Sequence, residues 1–242
     1  MRKLFLFSIA FLMGGVCASE PNLHSIRVMV IDTGISQIDE LQPFLSKHNS
    51  DSDLIDRHGH GTHITGLILF GPKLSDKVCP EVEIISCKFF NPATHSTAEC
   101  FELAKTLGVE IVNFSGGGRE EIKEETKAVK AYSGIIVVAS GNYELDTVGR
   151  IKKAAWDISK EPYYPASLNL PNMRVVGNGV NEKQRSPSSN FGLPGMIWRE
   201  GEHIISFDKR SGKASMSGSS QATAIYTHEL LQAACQRLRS AK

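Results

Sequence analysis

The chain has 242 residues, 41% of them hydrophobic and 22% charged, which is enough apolar material to bury a sizeable core. Its 27 lysines and arginines nearly balance 26 aspartates and glutamates, so the formal net charge is +1. A chain this close to neutral has no global field that would attract nucleic acid or an anionic membrane, and we expect neither as a partner.

The N-terminus is typical of a secretory signal peptide. Met1-Arg2-Lys3 is followed by an apolar run from Leu4 to Val16 and by the small residue Ala18. A basic head, an apolar stretch and a small-residue cut site mark such a signal, and the run is too short to span a membrane. We predict cleavage after Ala18, a secreted or periplasmic location and no membrane association afterwards.

Residues 19–242 are predicted to form a single domain, because no repeat or low-complexity linker divides them. An even number of cysteines remains in this part, which permits disulfide bonds in an exported protein. The sequence leaves all three possible pairings open among Cys79, Cys87, Cys100 and Cys235. The sequence has no CxxC pair, the spacing that would suggest a zinc or redox centre. We expect no cofactor. We also expect the protein to be a monomer.

The first candidate site residue follows an apolar strand. Val28–Ile31 is a continuous apolar run that ends at Asp32-Thr33-Gly34. Such a run is typical of a buried parallel strand, and chemistry gathers at the carboxyl edge of parallel sheets. Asp32 is therefore a candidate active-site carboxylate, although an Asp in this position also serves as a simple turn or helix cap.

A histidine cluster comes next. His58, His60 and His63 alternate with small residues before the apolar run Leu67–Phe70, which predicts a loop-to-helix junction directed at a site. As His-x-His-x-x-His, the cluster could bind a metal whose other ligands came from elsewhere. Alternatively, His60 at the helix start supplies a general base. A third interpretation is an exposed polar loop.

The middle of the chain alternates strand and helix patterns. Strands are predicted at Glu83–Phe90, Val109–Phe114, Ile135–Ala139, Val175–Val176 and His203–Phe207, and helices at Thr97–Leu107 and Glu120–Tyr132. Strands that alternate with helices in this way indicate a parallel sheet covered on both faces.

The segment Met216–Leu231 combines a turn of small residues with an apolar helical run, and a helix is predicted from Ser220 to about Leu238. A serine in the first turn lies where free backbone N–H groups and the helix dipole favour a developing oxyanion. Taken alone, this pattern is more often a helix cap.

Four motifs together resemble the subtilisin-like serine proteases. They are Asp-Thr-Gly at 32–34, His-Gly-Thr-His at 60–63, Ser-Gly-Asn at 140–142 and Ser-Gly-Ser-Ser-x-Ala-Thr at 217–223, in the order of that family. This order fits neither an α/β-hydrolase nor a chymotrypsin-like enzyme. The resemblance implies a three-layer α/β/α fold with a central, mostly parallel sheet, and a secreted serine endopeptidase acting on proteins or peptides.

The resemblance also implies a role for each matching residue. Ser220 would be the nucleophile, His60 its general base and Asp32 the group that orients the imidazole. Asn142 and the backbone N–H of Ser220 would stabilise the oxyanion. Substrate backbone would lie as an added strand along Ser115, Gly116 and Gly117.

Several features depart from the family pattern. Gln221 stands where Met is usual, and no pro-segment is evident between Ala18 and the first strand. The stretch Leu67–Val82 is short beside the calcium-binding loop of many relatives, so we predict no calcium site. Tyr163 stands where relatives often have Gly at the floor of the primary pocket, which predicts a shallow pocket for small side chains.

Two alternative functions stay open at this point. The cluster of His58, His60 and His63 could serve a metal-dependent hydrolase. The missing pro-segment and Gln221 would suit a subtilisin-like fold that binds or regulates other molecules without turnover.

Overall fold

A computed structural model of the chain describes residues 25–49, 55–90, 93 and 95–240. The predicted signal peptide, residues 1–18, lies outside these residues. The strands are β1 (Ile26–Asp32), β2 (Val82–Lys88), β3 (Ile111–Phe114), β4 (Ile135–Ala139), β5 (Glu144–Leu145), β6 (Ile151–Lys153), β7 (Met173–Asn181), β8 (Gln184–Arg185), β9 (Ile197–Glu200), β10 (Ile204–Phe207) and β11 (Lys213–Met216). The α-helices are α1 (His60–Phe70), α2 (Thr97–Thr106), α3 (Lys123–Lys130) and α4 (Ser219–Ser240).

The central sheet has the strand order β2-β1-β3-β4-β7, and β7 also pairs with β8 and β9. All of these pairs are parallel except β7 with β8. The buried apolar runs explain this arrangement, since a parallel strand covered on both faces needs apolar side chains in both directions. The register places Ile31 of β1 beside Phe114 of β3, so the carboxyl ends of neighbouring strands lie together.

Helices cover both faces of the sheet. On one face, α1 and α4 pack together, and their buried side chains include Ile64, Leu67 and Leu231. On the other face, α2 and α3 pack together over a second core that includes Phe101 and Tyr132. The prediction of a three-layer α/β/α fold with a mostly parallel sheet is confirmed. No helix in the described part of the chain is long and apolar enough to cross a membrane.

Several predicted elements differ from the structure, and the strand predicted at Val175–Val176 extends over Met173–Asn181 as β7. Helix α3 begins at Lys123 instead of Glu120, because Ile122 has an extended backbone with φ −95° and ψ 113°. The predicted strand at 203–207 forms as β10, but it pairs antiparallel with β11 in a separate hairpin outside the central sheet. Its partner strand β11 has the sequence Lys-Ala-Ser-Met, which contains no β-branched or aromatic residue and gave no strand signal.

Two disulfide bonds connect the four cysteines. Cys79 pairs with Cys235 across a sequence separation of 156, and Cys87 pairs with Cys100 across a separation of 13. The first bond attaches the end of α4 to the segment before β2. The second attaches β2 to the first turn of α2. The structure thus selects one of the three pairings that the sequence left open.

The long-range disulfide is expected to stabilise the fold more than the short-range one, because closing a longer loop removes more conformational entropy from the unfolded chain. Replacing Cys79 and Cys235 together by alanine should lower the free energy of unfolding by about 5 kcal/mol. The matched control, with Cys87 and Cys100 replaced, should lose only about 3 kcal/mol. Urea unfolding followed by circular dichroism measures both, and an equal or larger loss in the control would contradict the expectation.

Candidate active site

The predicted site residues meet at the carboxyl edge of the central sheet. Asp32 is the last residue of β1, the segment 115–117 directly follows β3, and the segment 140–142 directly follows β4. Two helices begin at the same edge, α1 at His60 and α4 at Ser219. Because neighbouring parallel strands end side by side, residues far apart in sequence come together here.

Asp32 and His60 form a hydrogen-bonded pair. The Nδ1 atom of His60 lies 2.8 Å from Oδ1 of Asp32, whose residue is only 5% exposed. The backbone N–H of Thr33 donates to the same carboxylate oxygen at 2.8 Å. The approach of α1 to β1 requires glycine at 61, since a Cβ atom there would lie 2.1 Å from the carbonyl oxygen of Gly34.

The environment of His60 raises its pKa above the ordinary value of 6.5. Burial is the largest single influence and lowers the pKa, because it disfavours the charged imidazolium. The negative charge of Asp32, the hydrogen bond to Asp32 and the charge of Asp56 act in the opposite direction and together prevail. The neutral form of His60, which could act as a base, therefore becomes dominant only above pH 6.5.

Ser220 lies in the first turn of α4 and forms a reciprocal pair with Ser115. The hydroxyl of Ser220 donates to the carbonyl oxygen of Ser115 at 2.8 Å, and the hydroxyl of Ser115 donates to the carbonyl oxygen of Ser220 at 3.1 Å. This pair connects the start of α4 to the loop after β3. Within the ranges that the structure describes, no hydrogen bond joins Ser220 to His60.

Asn142 lies beside the loop that carries Ser220. Its Oδ1 atom accepts a hydrogen bond from the backbone N–H of Ser219 at 2.8 Å. A Cβ atom at Gly218, which has a φ of 148°, would lie 3.1 Å from the Nδ2 atom of Asn142. The side-chain amide of Asn142 is therefore fixed against the turn that precedes α4.

A cleft of about 270 Å³ adjoins these residues. Its lining includes Asp32, His60, Ser115, Gly116, Gly117 and Tyr163. The ring of Tyr163 fills the space beside two glycines, since a Cβ atom would lie 2.6 Å from this ring at Gly117 and 2.9 Å from it at Gly141. Burial, with a smaller contribution from Glu144, raises the pKa of Tyr163 to about 12, so the phenol is neutral at ordinary pH.

The three histidines of the cluster do not converge. His63 is fully buried, and its Nε2 atom donates to the carbonyl oxygens of Ile204 at 3.1 Å and Ala214 at 3.2 Å. The ring of His58 contacts the ring of His60 edge-on, with 6.3 Å between centroids. Over the described ranges, no group of three or more His, Cys, Asp or Glu side chains is placed to hold a metal ion. The cluster thus does not form the ligand set that the metal-binding interpretation required.

Sequence reasoning assigned no role to Asp56, which is 3% exposed and accepts hydrogen bonds from both sides of the site. A sequence signal was available, because an Asp that precedes a glycine-rich helix start commonly binds nearby backbone N–H groups.

A buried Asp–His pair beside a serine at the start of a helix is the kind of arrangement that serine hydrolases use. The profile of the subtilase family matches residues 24–233, so the chain belongs to this family of serine proteases.

Two relatives illustrate the range of the similarity. Subtilisin DY of Bacillus licheniformis is 28% identical over 215 residues, which cover 82% of this chain and 73% of that protein. Subtilisin-like protease 2 of Plasmodium falciparum (isolate 3D7) is 26% identical over 231 residues, which cover 82% of this chain. The chain spans only 16% of the length of the Plasmodium protein.

Solved structures share the fold. The patellamide maturation protease PatA superposes with a TM-score of 0.67 at 24% identity, covering 90% of this chain and 81% of that chain. A cold adapted subtilisin-like serine proteinase has a TM-score of 0.66 at 22% identity, covering 92% of this chain and 78% of that chain.

The Asp32–His60 pair predicts a specific titration. In the intact protein, the imidazole of His60 should titrate with a midpoint above 6.5, and Asp32→Asn should lower this midpoint because the amide carries no charge. NMR of the imidazole resonances measures both values. The resonances of His63 are assigned separately, since burial holds its pKa below the ordinary value and the charges of Asp32 and His60 also act on it. An unchanged His60 midpoint in folded Asp32→Asn would contradict the pairing.

Proposed function

We propose that the chain is a serine endopeptidase that hydrolyses peptide bonds with Asp32, His60 and Ser220 as its catalytic residues. The observation that carries this proposal is the 2.8 Å hydrogen bond between Asp32 and His60, in a chain whose motif order is that of the subtilase family. The reciprocal bonds between Ser115 and Ser220 add support, because they bring the start of α4 to the same edge of the sheet.

The roles follow from the chemistry of the three side chains. Ser220 attacks the carbonyl carbon of the scissile bond, and His60 takes the hydroxyl proton and later gives it to the leaving amine. Because Nδ1 of His60 donates its hydrogen to Asp32, the Nε2 atom of the neutral ring has the free lone pair that a base needs. Asp32 also stabilises the imidazolium that forms.

Substrate binding would release the nucleophile. The hydroxyl of Ser220 donates to the carbonyl oxygen of Ser115. A substrate strand added along Ser115, Gly116 and Gly117 would bring its own backbone N–H groups to such carbonyl oxygens. The hydroxyl could then turn to Nε2 of His60, as catalytic hydrogen bonds often form only once substrate is bound.

Asn142 is proposed to stabilise the oxyanion. Its Oδ1 atom accepts from the backbone N–H of Ser219, so the Nδ2 group is left to donate to the tetrahedral intermediate together with the backbone N–H of Ser220. A side-chain donor of this kind contributes roughly 3–4 kcal/mol to transition-state stabilisation.

The remaining parts of the proposal concern partners and location. Each step uses only side chains and backbone groups of this chain, so we propose that a monomer acts on protein or peptide substrates without a cofactor. Export is proposed from the signal-like pattern of residues 1–18.

A second candidate is a subtilisin-like protein that binds or regulates other molecules without turnover. The observation that favours it is the bond from the Ser220 hydroxyl to Ser115 in place of a bond to His60. If the purified, folded protein shows no peptidase activity, this candidate is favoured over the first.

Ser220→Ala is expected to abolish peptide hydrolysis down to the residual level left by binding and oxyanion stabilisation, a loss of roughly 10⁶-fold in kcat. Ser219→Ala is the matched control, because the neighbouring hydroxyl is buried without a hydrogen-bond partner in the described structure and its removal should change kcat by only a few-fold. Hydrolysis of a fluorogenic peptide measures both. Retained activity in folded Ser220→Ala would end the assignment of Ser220.

Tyr163→Gly is expected to deepen the primary specificity pocket, because it removes the ring that fills the space beside Gly117 and Gly141. The unchanged protein should prefer small residues on the acyl side of the scissile bond, and the variant should gain activity on Phe, Tyr and Leu. Peptide-library profiling measures the preference. The control variant Tyr163→Phe keeps the ring and should keep the preference for small residues. A preference for large residues in the unchanged protein would refute the prediction of a shallow pocket.

A further inference from the structure

Asp56 is a buried carboxylate outside the catalytic residues proposed above, and both of its oxygens are saturated with hydrogen bonds. Its Oδ1 atom accepts from the Thr33 hydroxyl at 2.9 Å and from the backbone N–H groups of His58 at 2.9 Å and Gly59 at 2.7 Å. Its Oδ2 atom accepts from the backbone N–H of Thr62 at 2.9 Å and from the Thr62 hydroxyl at 2.7 Å.

These donors belong to three different segments of the site. Thr33 is the residue after Asp32, while Thr62 lies in the first turn of α1, two residues after His60. The Thr33 hydroxyl also accepts from the backbone N–H of Gly61 at 2.8 Å, which closes the connection between the turn and the helix. Asp56 therefore spans the same gap as the hydrogen bond between Asp32 and His60.

The loop that carries Asp56 is itself anchored to the sheet. The ammonium group of Lys88, the last residue of β2, donates to the carbonyl oxygen of Ile55 at 2.8 Å. Lys88 is paired in register with Asp32 on the neighbouring strand β1. The position of Asp56 is thus fixed relative to the strand end that carries Asp32.

We propose that Asp56 is a positioning residue, which sets the separation and orientation of Asp32 and His60 by holding the turn after β1 against the first turn of α1. The effect of Asp56 on catalysis rests on the function proposed above. Its effect on the geometry of Asp32 and His60 does not. Asp56 lies in the loop before α1, and a carboxylate that accepts a backbone N–H of the first helical turn suits the free N–H groups and the dipole at that end.

The charge of Asp56 gives the proposal a readout that a purely structural role would lack. The titratable side chains that face His60 are Asp32, Asp56, His58 and His63. Burial lowers the pKa of His60, and the two carboxylates raise it, Asp32 more than Asp56. Removing the charge of Asp56 should therefore lower this pKa.

The test compares Asp56→Asn with Thr33→Val. In Asp56→Asn, the NMR midpoint of His60 should fall, the acidic limb of kcat/KM should move to lower pH by the same amount, and kcat should drop on the order of 10- to 100-fold through misplacement of the pair. Thr33→Val removes one hydroxyl of the network and keeps both charges, so a fall in kcat together with a fall in the His60 midpoint would report displacement of Asp32 from His60, and both are expected. Asp208→Asn is the charge control, since this carboxylate accepts two backbone N–H groups in the β10–β11 turn, and both readouts should stay unchanged.

A folded Asp56→Asn with unchanged kcat would overturn the proposal even if its His60 midpoint falls, because loss of the charge alone lowers that midpoint. If Asp56→Asn does not fold, Thr33→Val decides, and an unchanged kcat in that variant would also overturn it. If the unaltered chain shows no peptidase activity, a lowered His60 midpoint in Thr33→Val, which keeps both carboxylate charges, still supports the positioning role, and only the proposed function fails.

Discussion

The hydrogen bond between Asp32 and His60 is the interaction on which the site depends. It joins the end of the central strand β1 to the first residue of α1 at 2.8 Å, across 28 positions of sequence. Such a contact needs both elements to be rigid and very close. Burial of β1 between β2 and β3 provides the rigidity, and glycine at 61 permits the approach, since any Cβ there would overlap the backbone of Gly34. Asp56 then holds the two elements together from a second direction.

Ser220, near the C-terminal end of the chain, lies at the same edge of the sheet as this pair. Helix α4 packs against α1 and against the central strands, and Cys235 near its end is bonded to Cys79. Its first turn is held by the Ser115 pair on one side and by Asn142 on the other. The packing of one long helix thus determines where Ser220 can lie. Substitutions that destabilise the α1–α4 core are therefore expected to disturb the position of Ser220 as well.

Much of the fold could be predicted from local patterns. Continuous apolar runs identified β1 and β4, and the strand–helix alternation indicated the covered parallel sheet that the structure confirms. What local patterns could not supply was long-range pairing. The β10–β11 hairpin, the disulfide partners and the bonds of Asp56 each join segments whose contact is decided by the packing of the whole domain. The candidate residues were found by motif order, and their catalytic roles remain predictions.

Activation of Ser220 as a nucleophile at this edge of the sheet can be tested directly by chemical labelling. A fluorophosphonate probe forms a stable adduct with an activated serine hydroxyl, and mass spectrometry of the digested protein identifies the residue that carries it. We expect stoichiometric modification of Ser220 in the folded chain, with no adduct after unfolding. An adduct on a different serine would contradict the activation of Ser220. Peptide hydrolysis that the probe does not inhibit, in a preparation whose Ser220 stays unmodified, would contradict it as well.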